Sequence, residues 1–279
     1  MTTVSAHIVE PAGVPRRAWP VTSGVPFAPG ELRTPSQIRV LDDQGQLLPS
    51  CASTTATWPD GSVRWALLDL QTDIPRQARI DVQLDTDGDG SEPDSPLRAE
   101  TRSDAIDVLT GDCAVRIARS GVRLLRSASR GRQEYLRPGN KLDDDGADLV
   151  AWEEASDTPY CGIVESAEVE SQNALRLVVH ATGSFRRDDE RLLGWVARLT
   201  FFAGHSFVRM QITVVHDEAK HPFVHLKRLL FHMPLALSPT GRQAHFGSFE
   251  SGWHMGPPIS ADDGPVEMTQ WALERHTLE

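Results

Sequence analysis

Apolar and polar residues alternate along most of this chain with the two-residue period of half-buried strands. In Arg79-Ile80-Asp81-Val82-Gln83-Leu84-Asp85, the apolar Ile80, Val82 and Leu84 share one face, and Asp81 and Gln83 point to water. Ile38 and Val40 stand out in the same way within Gln37 to Asp42, as do Val115 and Ile117 within Cys113 to Ile117. From Ser62 to Leu70 the pattern sets Val63, Trp65 and Leu67 against Arg64, Ala66 and Leu68, which predicts a core position for Trp65. Longer runs at Leu175 to Ala181, Trp195 to Phe202 and Phe207 to Val215 are rich in β-branched and aromatic residues, the composition of strands. The phase shifts between the last two: Trp195, Ala197, Leu199 and Phe201 precede Ala203-Gly204-His205-Ser206, and Val208, Met210, Ile212 and Val214 follow it. That tetrapeptide reads as a hairpin turn. Nineteen prolines and 21 glycines punctuate the strand-like runs at short intervals. No amphipathic helix longer than three turns is visible, and Met268 to Leu273 is the best short one. The fold class predicted is all-β. A polar stretch over 85–98 reads as a linker between two β domains, one over 1–97 and one over 98–240, with an extended tail over 241–279.

Composition narrows the function classes. The 279 residues carry a net charge of −11, which argues against nucleic-acid binding and against docking on anionic lipid. Among 28 basic residues only Lys141, Lys220 and Lys227 are lysines; the rest are arginines, the better fork for a carboxylate. Cys51, Cys113 and Cys161 fit neither a zinc ribbon nor a disulfide framework and read as buried or incidental thiols. No signal-peptide pattern opens the chain, and no apolar run approaches the ~20 residues of a membrane span, so the expected location is the cytoplasm.

Candidate chemistry is sparse. Asp85, Asp87, Asp89 and Gly90 begin like a calcium loop, but the position that should supply a bidentate carboxylate is Pro96, so a solvated acidic turn is expected. Nine of ten histidines lie at or beyond His180, densest at His216, His221, His225 and His232. On a strand, His221 and His225 share a face roughly 13 Å apart, too far to grip one ion. No Gly-x-Ser-x-Gly elbow, dinucleotide fingerprint or phosphate loop appears. Neither a metal nor another cofactor is expected.

Two stretches are distinctive: Pro20-Val21-Thr22-Ser23-Gly24-Val25-Pro26-Phe27-Ala28-Pro29-Gly30, and Trp58-Pro59-Asp60-Gly61-Ser62-Val63-Arg64-Trp65-Ala66. In this order, with Ile38 to Leu41 between them, they resemble the opening of the bacterial exo-rhamnogalacturonan lyase-like (PcRGLX/YetA-like) family. Phe201-Phe202-Ala203-Gly204-His205-Ser206-Phe207-Val208-Arg209 is similar to a hairpin of that family's central domain. The resemblance covers about residues 5–235. It implies a RIFT-type β-barrel followed by an antiparallel β-sandwich. Full-length relatives continue into a helical α/α toroid that this sequence does not show.

The resemblance implies a carbohydrate-related module of a rhamnogalacturonan or pectin lyase-like protein, not catalytic alone. Two alternatives stand beside it: a complete lyase working by β-elimination in an interdomain cleft, and a structural or partner-binding half for a separately encoded toroid. β-Elimination needs a cation on the uronate carboxylate, a base and an acid. Arg198, Arg209 and Arg228 are candidates for the first, His221, His225 and His232 for contacts to substrate, and Tyr135 and Tyr160 are the only tyrosines. Oligosaccharide or polysaccharide is the expected ligand, and a second copy or a toroid domain the expected protein partner. An exposed apolar face is expected at Phe223, Leu229, Phe231 and Trp253. Trp58 and Trp65, flanking Pro59-Asp60-Gly61, are expected to be structural, with direct stacking on a sugar ring as the alternative.

Overall fold

The computed structural model describes residues 3–88, 92–136, 148–217 and 223–236, and four two-residue strands at Gln243–Ala244, Gly247–Ser248, His254–Met255 and Ile259–Ser260. No α-helix occurs among the described residues, as the alternation predicted. Met268 to Leu273 falls outside them. The chain divides into two compact units, Met1–Ala236 and Leu237–Glu279. In the second, Gln243–Ala244 pairs with Ile259–Ser260, and Gly247–Ser248 with His254–Met255.

The first unit opens with seven strands: β1 (Thr3–Val9), β2 (Arg16–Pro26), β3 (Arg39–Leu41), β4 (Leu47–Leu48), β5 (Ser50–Thr57), β6 (Val63–Ile74) and β7 (Arg79–Asp85). They make two antiparallel sheets, β1-β7-β3-β4 and β2-β6-β5. Between the sheets lies a core of Phe27, Leu32, Ile38, Val40, Val63, Ala66, Leu68, Leu70, Val82 and Leu84. Ile38, Val40, Val82 and Leu84 point inward as their alternation requires.

The two distinctive stretches clasp each other. Gly61 takes a positive φ of 79°, and Asp60 accepts from the Ser62 amide and hydroxyl, closing the Pro59-Asp60-Gly61 turn. Trp58 Nε1 donates to the Phe27 carbonyl at 2.9 Å, the Phe27 amide donates to Arg64 O, and the Gly30 amide reaches Ser62 Oγ. Trp58 is therefore structural, with the Arg64 guanidinium 4.8 Å above its ring.

Trp65 is not a core residue. It is 42% exposed, Leu67 is half-buried, and the buried face of β6 is instead Ala66, Leu68 and Leu70. Two compensating bulges explain the reversal. Arg64 is an extra residue on β6 opposite the Ala56–Thr57 step, and Thr55 is an extra residue on β5. One inserted residue moves all that follows to the opposite face, so Val63 points in and Trp65 points out.

Twelve further strands form the sandwich: β8 (Arg98–Thr101), β9 (Ala105–Leu109), β10 (Ala114–Ala118), β11 (Gly121–Val122), β12 (Leu125–Arg130), β13 (Gln133–Glu134), β14 (Asp148–Glu153), β15 (Tyr160–Gln172), β16 (Arg176–Arg187), β17 (Glu190–Phe202), β18 (Val208–Val215) and β19 (Leu226–His232). A five-stranded sheet, β13-β12-β10-β9-β8, faces a seven-stranded one, β18-β17-β16-β15-β14-β19, with β11 pairing to β15. Trp195, Ala197, Leu199 and Phe201 are buried between them, and Val208, Met210, Ile212 and Val214 pack against that core. Gly204, at φ 73°, turns the predicted hairpin. Tyr160 opens β15 and is fully buried.

Candidate functional site

Four of the six residues singled out for binding share the outer face of the seven-stranded sheet. Arg198 on β17 and Arg209 on β18 lie near one edge, Arg228 and His232 on β19 at the other. Four strands separate β18 from β19, so at ~4.8 Å per strand the two groups lie roughly 24 Å apart. Arg198 is locked onto Glu170, with Nε and Nη2 within 3.0 Å of its carboxylate, and the pair holds Glu170 below the ordinary carboxylate range. Arg228 lies over the Trp152 ring at 5.5 Å. His225 is exposed, 3.8 Å from Glu154 Oε2, and His221 lies outside the described residues. Arg209 is exposed on β18. The geometry thus sets Arg198, Arg209, Arg228 and His232 on one face without converging them.

Tyr160 supplies no base near neutral pH. Burial, reinforced by Glu190, pushes the Tyr160 phenol up to about 12, and Arg187 Nη2 donates to its oxygen at 2.6 Å. Tyr135 is exposed beyond β13. Asp148 behaves otherwise: burial pushes its carboxyl up to about 6 against the pull of Arg123 and of His232, its cross-strand neighbour. Asp85, first of the calcium-like carboxylates, is tied to Arg39 at 2.7 Å, while Asp89 lies outside the described residues. Among the described residues no three metal-ligating side chains cluster. A cleft of about 350 Å³ on the barrel is lined by Ile38, Arg39, Leu47, Leu48, Cys51 and Pro93. Its cation is engaged by Asp85, and burial pushes the Cys51 thiol up, away from reactivity.

The outer face of β2-β6-β5 is more informative. Register places Thr22, Asp69 and Cys51 in one row across it. Asp69, 2% exposed, accepts from Thr22 Oγ1 at 2.6 Å, from Asn173 Nδ2 at 2.7 Å and from Arg176 Nε at 2.8 Å. The last two come from the sandwich. Further along, Gln71 Nε2 donates to Ala203 O at 2.9 Å. The β17–β18 hairpin completes the joint. Phe207 stacks on Trp19 with centroids 5.1 Å apart, and Arg16 lies 4.5 Å over Trp19. His205 Nε2 donates to Ala18 O at 2.7 Å, which fixes the ring tautomer, because a carbonyl can only accept. One half of this sheet face is therefore closed by the sandwich, and the other half, carrying Trp65, is open. Sequence reading missed the joint. The one legible signal was a lone acid, Asp69, inside the apolar run Leu67 to Leu70.

At the sandwich edge, Phe223 is 78% exposed, and Leu229 is exposed as predicted. Phe231 is half-buried and packs against the core, and Trp253 lies outside the described residues. No helix of the described residues is long and apolar enough to cross a membrane.

Comparison with known proteins agrees with this architecture. Residues 3–84 match the family model described as the PcRGLX-like N-terminal RIFT barrel domain, and residues 97–258 that of the PcRGLX-like protein central beta sandwich domain. The chain is 26% identical over 257 residues to the protein YetA of Bacillus subtilis (strain 168), an alignment covering 88% of this chain and 29% of that protein. It therefore spans less than a third of the length of the curated relative it matches.

Proposed function

This chain belongs to the PcRGLX-like family, and from that premise we propose that it serves a rhamnogalacturonan lyase-like protein as a non-catalytic, carbohydrate-binding β module. The observation that carries the non-catalytic part is the state of its candidate groups. Arg198 is bound bidentately by Glu170, Tyr160 is buried with its phenol raised to about 12, and His232 on β19 stands some 19–24 Å from the arginines of β17 and β18. β-Elimination needs a cation, a base and an acid within hydrogen-bond reach of one sugar ring, ~3 Å each. Arg198, Arg209, Arg228, His232 and Tyr160 do not assemble such a triad.

What the fold offers instead is a rigid two-domain platform. The Asp69–Arg176 pair and the Trp19–Phe207 stack join barrel to sandwich, so a surface on either domain keeps a fixed relation to the other. A fixed platform suits a module that holds polymer while chemistry proceeds elsewhere. The test is twofold. Incubated alone with rhamnogalacturonan, the chain is expected to give no growth of the ultraviolet absorbance of unsaturated uronates. In calorimetric titration it is expected to bind oligosaccharides. Steady, heat-sensitive growth of that absorbance would make it a complete lyase and overturn the proposal.

A further inference from the structure

The geometry points to a binding subsite for one neutral sugar ring on the open half of the barrel's outer face, with Trp65 as its stacking platform; this rests on the carbohydrate-binding reading above. Register places two rows on that half: Pro26, Trp65 and Ala56 in one, Gly24, Leu67 and Ser53 in the next. The third row is the Thr22–Asp69–Cys51 row, closed by Asn173 and Arg176 of the sandwich.

Three features of this half select its occupant. The first is that the chain turns a tryptophan outward at the cost of two bulges, and the ring has room there. A Cβ placed on Gly24 would meet Trp65 Cε3 and Cζ3 at 3.6 Å, so the indole lies beside a glycine and no side chain at that position covers it. The indole face carries the negative lobe of the ring quadrupole, the partner for the polarised C–H bonds on one face of a pyranose. The second is extent. The two rows hold six residues, whereas a stable protein interface engages about 20–30 on each side. One or two sugar rings match that extent. The third is charge. None of the six side chains is charged, and Arg64, next in sequence to Trp65, is turned onto Trp58. A uronate carboxylate would find no counter-charge there, so the class of ligand is a neutral pyranose. Ser53 supplies the hydroxyl on this face, beside the stacking surface, where a sugar's own hydroxyls emerge.

The test uses the full chain in calorimetric titration with β-1,4-galactotetraose, mannotetraose and cellotetraose as neutral probes and tetragalacturonate as the acidic one. At least one neutral tetrasaccharide is expected to bind, more tightly than tetragalacturonate. Trp65→Ala is expected to weaken that binding by about tenfold or more, and Trp65→Phe to recover part of the loss. Thermal unfolding of Trp65→Ala is expected to match the wild type closely, since the side chain is exposed. Neutral binding unchanged in Trp65→Ala would overturn the site while leaving the carbohydrate reading intact. Tighter binding of tetragalacturonate would overturn the ligand class. Failure of every tetrasaccharide to bind the wild type would overturn both. A melting temperature for Trp65→Ala as low as that of Trp58→Ala would return Trp65 to a packing role and overturn the site as well.

Discussion

Replacing Asp69 by alanine should be among the most damaging single changes in the chain, because that carboxylate is shared by three donors from two domains. Its removal deprives Thr22 Oγ1, Asn173 Nδ2 and Arg176 Nε of their common acceptor at once. Arg176, with a side chain only 15% exposed, is then left as a largely buried cation without its partner. Breaking a buried ion pair from one side costs ~3–5 kcal/mol, far more than the ~0–1 kcal/mol of an exposed pair. For a unit of this size each kcal/mol lowers the melting temperature by about 2–4 °C, so Asp69→Ala should melt roughly 6–20 °C early. Arg176→Ala is milder, because Asp69 keeps Thr22 and Asn173; losing one hydrogen bond to a charged group costs about 1.5–3 kcal/mol. The double replacement Asp69→Leu with Arg176→Met removes both charges together and should cost less than Asp69→Ala alone. Urea unfolding followed by tryptophan fluorescence measures all three. The wild type should unfold in one transition over barrel and sandwich, and Asp69→Ala in two, because the joint fails before either core. The reasoning is refuted if Asp69→Ala stays within about 1 kcal/mol of the wild type, or if the double variant costs as much as Asp69→Ala or more.

Three further outcomes follow from single sites. For Glu10, burial pushes its carboxyl up, but the amides of Gln77, Val14, Ala12 and Gly13 outweigh it and hold the value below the ordinary range. A folded value below the unfolded one stabilises above about pH 4 and fades as pH falls through the folded value; Glu10→Gln should thus be less stable at pH 7 and converge with the wild type in acid, as chemical denaturation across pH would show. Asp148 has the opposite sign: with its carboxyl raised to about 6, wild-type stability should fall as pH rises from about 4 to 6. Asp148→Asn should then be more stable at pH 7, by about 1 kcal/mol once screening of this half-buried group is allowed for, with no gain below about pH 4. Gly183→Ala places a methyl against the Ile163 carbonyl and the Trp195 ring in the sandwich core, so a loss of about 3 kcal/mol or more in calorimetric unfolding is expected.

Strand existence was legible in this sequence because alternation depends only on neighbours. Ile80, Val82 and Leu84 needed no tertiary information to declare a face, and β7 spans the residues that the alternation marked. The error at Trp65 has a specific origin. Alternation assumes an unbroken two-residue period, and the inserted residue at Arg64 breaks it inside the run from Ser62 to Leu70. Nothing local distinguishes a tryptophan that fills a core from one pushed outward by a bulge one residue earlier. The joint was hidden for a different reason. Asp69 and Arg176 lie 107 residues apart, and an acid in one strand does not name its arginine in another. The same limit applied to Arg198, which looked free in sequence and is held by Glu170, 28 residues away. Charges on one sheet face find each other readily, because adjacent strands set side chains about 5 Å apart and a long arginine such as Arg198 on β17 reaches Glu170 on β15 across the intervening β16. A charged residue on such a face is therefore weak evidence for a ligand. An aromatic one turned outward beside a glycine, as Trp65 is beside Gly24, is stronger, because that neighbour has no side chain to cover the ring. That asymmetry is why the binding reading moves from the arginines of the sandwich to Trp65 on the barrel.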